Sequence, residues 1–204
     1  MAAGAENPQN AENGRRLKVV LLGPPGAGKG TQAQLLSARL GIPAISTGDM
    51  LREAVAAGSE LGRRVEGIMA AGKLVDDALM AEVVRDRLAK PDAGSGYLLD
   101  GYPRTLPQAK TLEGILEESG QQLDAVVMVD VPVDELVRRS LLRGRADDTE
   151  EVIRERQRVY REKTEPLIGY YRERGLLREI DGHRPVDEVT AHMFATLGLG
   201  EGVD

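Results

Sequence analysis

An apolar run of strand length, LKVVLLG at 17–23, leads directly into Gly23-Pro24-Pro25-Gly26-Ala27-Gly28-Lys29-Gly30-Thr31, and a helical pattern begins at residue 28. Few chain segments constrain a fold more. A run that is apolar on both alternating faces belongs in the middle of a parallel sheet covered by helices. A glycine-rich loop between such a strand and a helix is the context of the GxxxxGK phosphate-binding turn. Glycines let successive backbone N–H groups approach an anion without a Cβ in the way, and the following helix adds its positive end. Lys29 supplies a full charge, and the Thr31 hydroxyl is within reach of phosphate or of metal-bound water. The general motif places Ser or Thr directly after Lys, whereas Gly30 intervenes here. The plainer alternative is a strand–helix turn with a solvated lysine.

The rest of the chain repeats the strand–helix alternation. Short apolar segments at 42–46, 97–100, 125–131 and 176–181 read as four further strands. Between them, Ala33, Leu35, Leu36, Ala38 and Leu40 give a helix over 28–40 an apolar face, stopped by Gly41. Two helical patterns broken at Gly58 cover 49–71, a third covers 76–88, and others cover 106–118, 133–142 and 186–197. A single long amphipathic helix is predicted over 149–173. Five strands separated by helices predict an α/β fold: a five-stranded parallel sheet with helices on both faces and smaller helical parts inserted. Residues 1–16 read as a flexible polar tail, 17–197 as one domain, and 198–204 as a frayed end.

Composition removes several function classes. Among 204 residues there is no cysteine, which excludes disulfides, catalytic thiols and zinc held by Cys. His183 and His192 are the two histidines, too few for a His-rich metal site and a poor basis for a Ser-His-Asp hydrolase. An apolar share of 41% with 29% charged residues fits a globular chain. No segment approaches the roughly 18 apolar residues of a membrane span, and the N-terminus lacks the basic and apolar regions of a secretory signal, so a cytoplasmic protein with no membrane partner is expected. The net charge of −6 argues against nucleic acid as the main partner.

Positive charge is nonetheless concentrated. Residues 138–161 hold eight arginines, at 138, 139, 143, 145, 154, 156, 158 and 161. Arg154, Arg158 and Arg161 interleave with Glu150, Glu151, Glu155 and Glu162 and read as a solvated, ion-paired helix face. Arg139 and Arg143, four apart and running into Gly144, fit an anion-collecting role better, with Arg145 on the loop that follows. Asp148 is expected to cap the next helix together with Glu151. Upstream, Asp100 ends a buried strand at the carboxyl edge of the sheet, where open α/β folds bind ligands. A carboxylate there suits water-mediated Mg²⁺, although a turn-capping role is an equal local alternative. Arg104, one turn on, offers a bidentate fork to phosphate.

Taken together, GPPGAGKGTQ (23–32), ISTGDMLR (45–52), KLV (73–75), LLDGYPRTLPQ (98–108), RGRADDTEEVIRER (143–156) and Asp181-Gly182 resemble the adenylate kinases, over nearly the whole of 17–197. The resemblance implies reversible, Mg²⁺-dependent transfer of a phosphoryl group, ATP + AMP = 2 ADP, with ATP, AMP and ADP as the binding partners, in a monomer. It implies an ATP site built from Gly26, Ala27, Gly28, Lys29, Gly30, Thr31, Arg143 and the backbone around Gly182–Arg184. It implies an AMP site in which Arg52 and Arg104 hold the α-phosphate, Thr47, the Lys73-Leu74-Val75 backbone and Gln108 read adenine, and Gly101, Tyr102 and Pro103 contribute. Lys29, Arg104, Arg143, Arg145 and Arg156, with Arg139 beside them, would carry transfer, and Asp100 would hold the metal through water. Asp147 and Asp148 sit near the transferred group in the family. The part at about 46–75 would cover AMP, and a short lid at about 143–149 would cover ATP, with Gly58, Gly67 and Gly72 absorbing the motion. The short lid and the absence of cysteine exclude the zinc of longer-lidded relatives.

Three alternatives remain open at this point. A UMP/CMP kinase would differ at the positions of Thr47 and Gln108. A non-catalytic ATP-binding switch would not need acceptor-side arginines. Nucleic-acid binding through the arginine-rich helix is opposed by the interleaved glutamates and by a total of six aromatic residues.

Overall fold

A computed structural model describes residues 17–145 and 148–199. The two terminal segments read above as tail and frayed end lie outside these residues, apart from Gly198 and Leu199, as do Ala146 and Asp147 of the lid. Five parallel strands form one sheet in the order β2-β3-β1-β4-β5: β1 Lys18–Leu22, β2 Ala44–Ser46, β3 Tyr97–Asp100, β4 Ala125–Asp130 and β5 Leu177–Asp181. The apolar run at 17–23 is thus the central strand. Val20 and Leu22 face one core, Val19 and Leu21 the other, and all four are buried.

The helices divide between these two cores. On one face lie α1 (Lys29–Leu40), α6 (Val133–Arg143) and α9 (Val186–Thr196), contributing Leu36, Leu136 and Met193. On the other lie α2 (Thr47–Ala56), α3 (Glu60–Ala70), α4 (Asp77–Leu88), α5 (Leu106–Glu118) and α8 (Pro166–Glu173), contributing Leu51, Val65, Val84, Leu112 and Leu167. α7 (Glu150–Val159) follows the lid. A short 3-10 turn, Pro91–Ser95, precedes β3.

Most expected boundaries agree to within a few residues, and three details differ. The apolar face of α1 is Ala33 and Leu36 with half-buried Leu40, while Leu35 is 39% exposed and Ala38 is also outward. Spacing of three and four residues, not adjacency, decides which side chain meets the core. The single helix predicted over 149–173 is interrupted by a π turn, Tyr160–Thr164, in which Glu165 N–H donates to Tyr160 C=O at 2.9 Å. Pro166 explains the break: it lacks an N–H and its ring crowds the carbonyl one turn back. Gly67 lies inside α3, whereas Gly58 and Gly72 turn the chain beyond helix ends.

α2 and α3 form a tight helical pair. Buried Gly62 on α3 sits so close to α2 that a Cβ there would lie 2.1 Å from the Ala54 carbonyl oxygen. Ser59 caps α3 by accepting from Gly62 N–H at 3.0 Å and donates its own hydroxyl to the same Ala54 carbonyl. Gly62→Ala is therefore expected to force the pair apart and lower stability by about 1–3 kcal/mol, read as a shift of the urea midpoint; an unchanged midpoint would contradict this packing.

Candidate functional site

The carboxyl edge of the sheet opens into a cavity of about 690 Å³. Its floor is the loop after β1. Gly26 has φ +91, and a Cβ there would lie 2.6 Å from the Leu136 carbonyl oxygen, so the loop packs on α6 only as glycine. α1 then opens on Gly28, at φ +92, with no side-chain cap. In contrast, α2, α3, α4, α5 and α7 are capped by Ser46, Ser59, Asp76, Thr105 and Thr149. The first N–H groups of α1 face the cavity without a side-chain acceptor, which is the arrangement an anion completes. Gly26, Ala27, Gly28, Lys29, Gly30 and Thr31 all line this space.

Lys29 reaches back over its own loop, donating from Nζ to the carbonyls of Gly23 at 2.8 Å and Pro24 at 3.0 Å. Gln157 of α7 holds the same loop from outside, donating to the Pro25 carbonyl at 2.8 Å. Burial pushes the Lys29 ammonium below the ordinary lysine range; Asp100 opposes that shift, while Arg104, Arg143 and Arg145 add to it. Asp100 stands at the end of β3 on the neighbouring strand, and its Oδ2 lies 3.8 Å from the position a Cβ would take on Gly30.

Facing the loop across the cavity are the guanidinium groups of Arg52, Arg104, Arg143, Arg145 and Arg156, brought together from α2, the β3–α5 turn, the end of α6, the lid and α7. Arg104 is held by its Nε to the Gly101 carbonyl at 2.8 Å, and its own carbonyl accepts from Thr164 at 2.9 Å. Burial lowers its pKa, with Arg156 and Arg52 adding to the effect and Asp100 countering it. Arg145 is lowered in the same way, first by burial and then by Arg52 and Arg143.

Carboxylates keep this cluster together. Asp148, whose side chain is 1% exposed, accepts from Arg143 Nε at 2.9 Å and Nη2 at 2.7 Å, and from Arg156 Nη1 at 2.9 Å. Burial alone would raise its pKa, but Arg143 and Arg156 hold it below the usual range. The expected Asp148–Glu151 capping box is thus replaced: Thr149 caps α7 by accepting from Val152 N–H, and the guanidinium groups take the Asp148 carboxylate. Asp49 pairs with Arg52 and lies 3.6 Å from Arg145, joining α2 to the lid. Burial would also raise the Asp49 carboxyl, which Arg52, Ser46 and Arg145 keep low.

The remaining predicted residues divide as follows. Thr47 is buried at the cavity wall, its hydroxyl donating to the Asp100 carbonyl at 3.4 Å. Lys73, Leu74, Val75, Gly101, Pro103 and Gln108 also line the cavity. Tyr102 does not: it is 1% exposed and packs into the core beside Leu99 and Tyr171, with its phenol pushed up to about 12 by burial and by Asp77. An aromatic side chain directly after the strand-end Gly101 turns inward, away from the expected acceptor site. Arg139 donates to Glu135 at 2.7 Å and to the Gly182 carbonyl at 3.0 Å, while Arg184 lines the cavity and pairs with Asp181. Arg154 pairs with Glu150 and Arg158 with Glu155 and Glu162, on the solvent side as expected. Asp49, Gln157 and Thr164 had no place in the expected site. Asp49 sits within the quoted STGDMLR stretch, but no sequence signal links Gln157 to Pro25, 132 residues away, or Thr164 to Arg104, 60 residues away.

No group of three or more His, Cys, Asp or Glu among the described residues is arranged to hold a metal by itself, and no helix among them is long and apolar enough to cross a membrane. One carboxylate beside a phosphate cradle fits Mg²⁺ well, because that ion keeps several waters and takes its other ligands from substrate phosphates.

A parallel sheet whose central strand feeds an uncapped glycine loop, with cations gathered above it, defines a P-loop NTPase-like α/β protein. A family model for adenylate kinase matches residues 21–176. Adenylate kinases of Thermus thermophilus and Nocardia farcinica are each 52% identical to the chain, over 89% of it and 97% and 99% of their own lengths. That of Kosmotoga olearia is 46% identical over 89% of the chain and 99% of its own length. The chain belongs to the adenylate kinase family and is a nucleoside monophosphate kinase, a phosphotransferase.

The depressed Lys29 pKa carries a signed consequence. A polyanion placed on the loop stabilises the charged ammonium and raises its pKa, so binding takes up protons, increasingly as pH climbs toward the ordinary lysine value of about 10.4. Calorimetry of ATP binding at alkaline pH, in buffers of different ionisation enthalpy, should show proton uptake in the wild type and none in Lys29→Met; equal values in both would contradict it.

Proposed function

We propose that ATP + AMP = 2 ADP proceeds in the single cavity, with the donor triphosphate on Gly26–Thr31 and AMP between Arg52, Arg104 and Gln108. The observation carrying this assignment is the convergence of Lys29 with Arg52, Arg104, Arg143, Arg145 and Arg156, from separate elements, around one space large enough for two phosphate chains. A switch that only held ATP would gain nothing from Arg52 and Arg104 on the far side of the loop, where their mutual repulsion is a standing cost.

Phosphoryl transfer asks for alignment and for charge to meet the equatorial oxygens, with little covalent chemistry from the protein. Lys29 leaves the Gly23 and Pro24 carbonyls for the outer phosphates. Arg143, Arg145 and Arg156 exchange their carboxylate partners for phosphoryl oxygens, and Arg104 fixes the acceptor phosphate so that its oxygen lies in line. Asp100 would hold Mg²⁺ through water beside the bound phosphates, where the ion would supply further neutralising charge. No general base is required of the protein. The Asp49–Arg145 contact supports a lid at about 143–149 that meets the part at about 46–75 when the cavity shuts, excluding water that would otherwise accept the phosphoryl group.

Formation of ADP from ATP with AMP, CMP and UMP in separate assays tests the acceptor site: AMP should be strongly preferred, and equal or better turnover of CMP or UMP would overturn the assignment of Thr47 and Gln108. Lys29→Ala should lower kcat by roughly 10²–10³ while the fold survives. Near-normal turnover of that variant would remove Lys29 from the transfer step.

A further inference from the structure

Gln108 faces the cavity, yet its amide is committed on the protein side. Its Oε1 accepts from the Arg104 backbone N–H at 2.8 Å, and its Nε2 donates to Asp77 Oδ1 at 2.7 Å. Asp77 is the first residue of α4, lies outside the cavity lining, and also accepts from the Thr105 hydroxyl, at 3.2 Å to Oδ1 and 3.1 Å to Oδ2. Thr105 in turn caps α5 by accepting from the Gln108 N–H at 3.2 Å. The orientation of the amide is therefore dictated by chemistry. A carboxylate can only accept and a main-chain N–H can only donate, so turning the amide over would set oxygen against Asp77 and NH₂ against N–H. Gln108 is 2% exposed, leaving little water to relieve either clash.

We propose that Asp77 is a positioning residue for acceptor-base selectivity: by fixing which end of the Gln108 amide donates, it makes the site select a 6-aminopurine over a 6-oxopurine. The two bases present opposite edges. A 6-aminopurine offers a donor at N6 beside an acceptor at N1, and a 6-oxopurine offers an acceptor at O6 beside a donor at N1. One amide orientation matches one order only. With its orientation pinned, Gln108 keeps one N–H and one lone pair for the base, in fixed order. Selectivity thus comes largely from the second base finding like groups facing like, which costs more than the correct pair gains. The inference rests on the proposal that Gln108 reads the acceptor base.

The test is the ratio of kcat/KM for AMP to that for inosine monophosphate, the 6-oxo analogue, with ATP as donor. Asp77→Asn is the main variant, since its own amide can face either end of Gln108, and Asp77→Ala is the second. The ratio should fall about tenfold in both, as expected for losing a hydrogen bond to a charged group, mainly through a raised KM for AMP and a lowered one for inosine monophosphate. Asp76 remains to cap α4, so the melting temperature should change little. A ratio within twofold of wild type, or an equal loss with both acceptors, overturns the role of Asp77. Gln108→Ala separates the two levels. If it abolishes the preference while the Asp77 variants keep it, only the positioning role fails. If Gln108→Ala itself leaves the preference intact, the base-reading assignment fails with it.

Discussion

Mutual repulsion among cations is the constraint that organises this molecule. Lys29, Arg52, Arg104, Arg143, Arg145 and Arg156 are among the cations that line one cavity, and burial shifts Lys29, Arg104 and Arg145 toward their neutral forms. A fold that gathers such groups must supply negative charge or lose the arrangement. Asp148 supplies it to Arg143 and Arg156, Asp49 to Arg52 and Arg145, and Asp100 to Lys29 and Arg104. These carboxylates occupy, in the free protein, the electrostatic role that phosphates take in the loaded one. The cluster is thereby held together, and the proposed binding of phosphates is an exchange of anions at these guanidinium groups.

The sheet makes that exchange possible. Because β1 is central and buried on both faces, the loop after it is anchored by two cores, and α6 and α7 brace it through the Gly26–Leu136 approach and the Gln157 hydrogen bond. Rigid support beneath and an uncapped helix start above leave backbone N–H groups aimed into the cavity at no cost in reorganisation. The proposed acceptor side is built differently, on the paired helices α2 and α3 and on side-chain contacts such as Asp77–Gln108. It is the part whose geometry depends most on individual polar residues.

Periodicity and turn chemistry made most of the fold legible in the sequence. The apolar run at 17–23, the strand-like segments and Gly41 mark elements by purely local rules. What stayed hidden was set by distance in the chain. Asp148 obeyed a local capping rule on paper, but the guanidinium groups of Arg143 and Arg156 outcompeted a helix N–H that Thr149 could satisfy. Tyr102 sat inside a phosphate-binding motif and yet belongs to the core, since an adjacent motif position need not share a side-chain direction. Of the site, the loop and the arginines could be read from residue type and spacing, aided by family resemblance. The residues that orient them, Gln157, Thr164 and Asp77, follow no sequence pattern, because each acts through one hydrogen bond across the fold.

The most direct measurement is a crystal structure with a bisubstrate mimic, two adenosines joined through a phosphate chain. The account predicts phosphate oxygens on the amides of Gly26–Thr31, Lys29 Nζ released from the Gly23 and Pro24 carbonyls, and the second adenosine end between Arg52, Arg104 and Gln108. A mimic bound with that loop empty, or with Lys29 still on its own carbonyls and no nucleotide opposite, would contradict it.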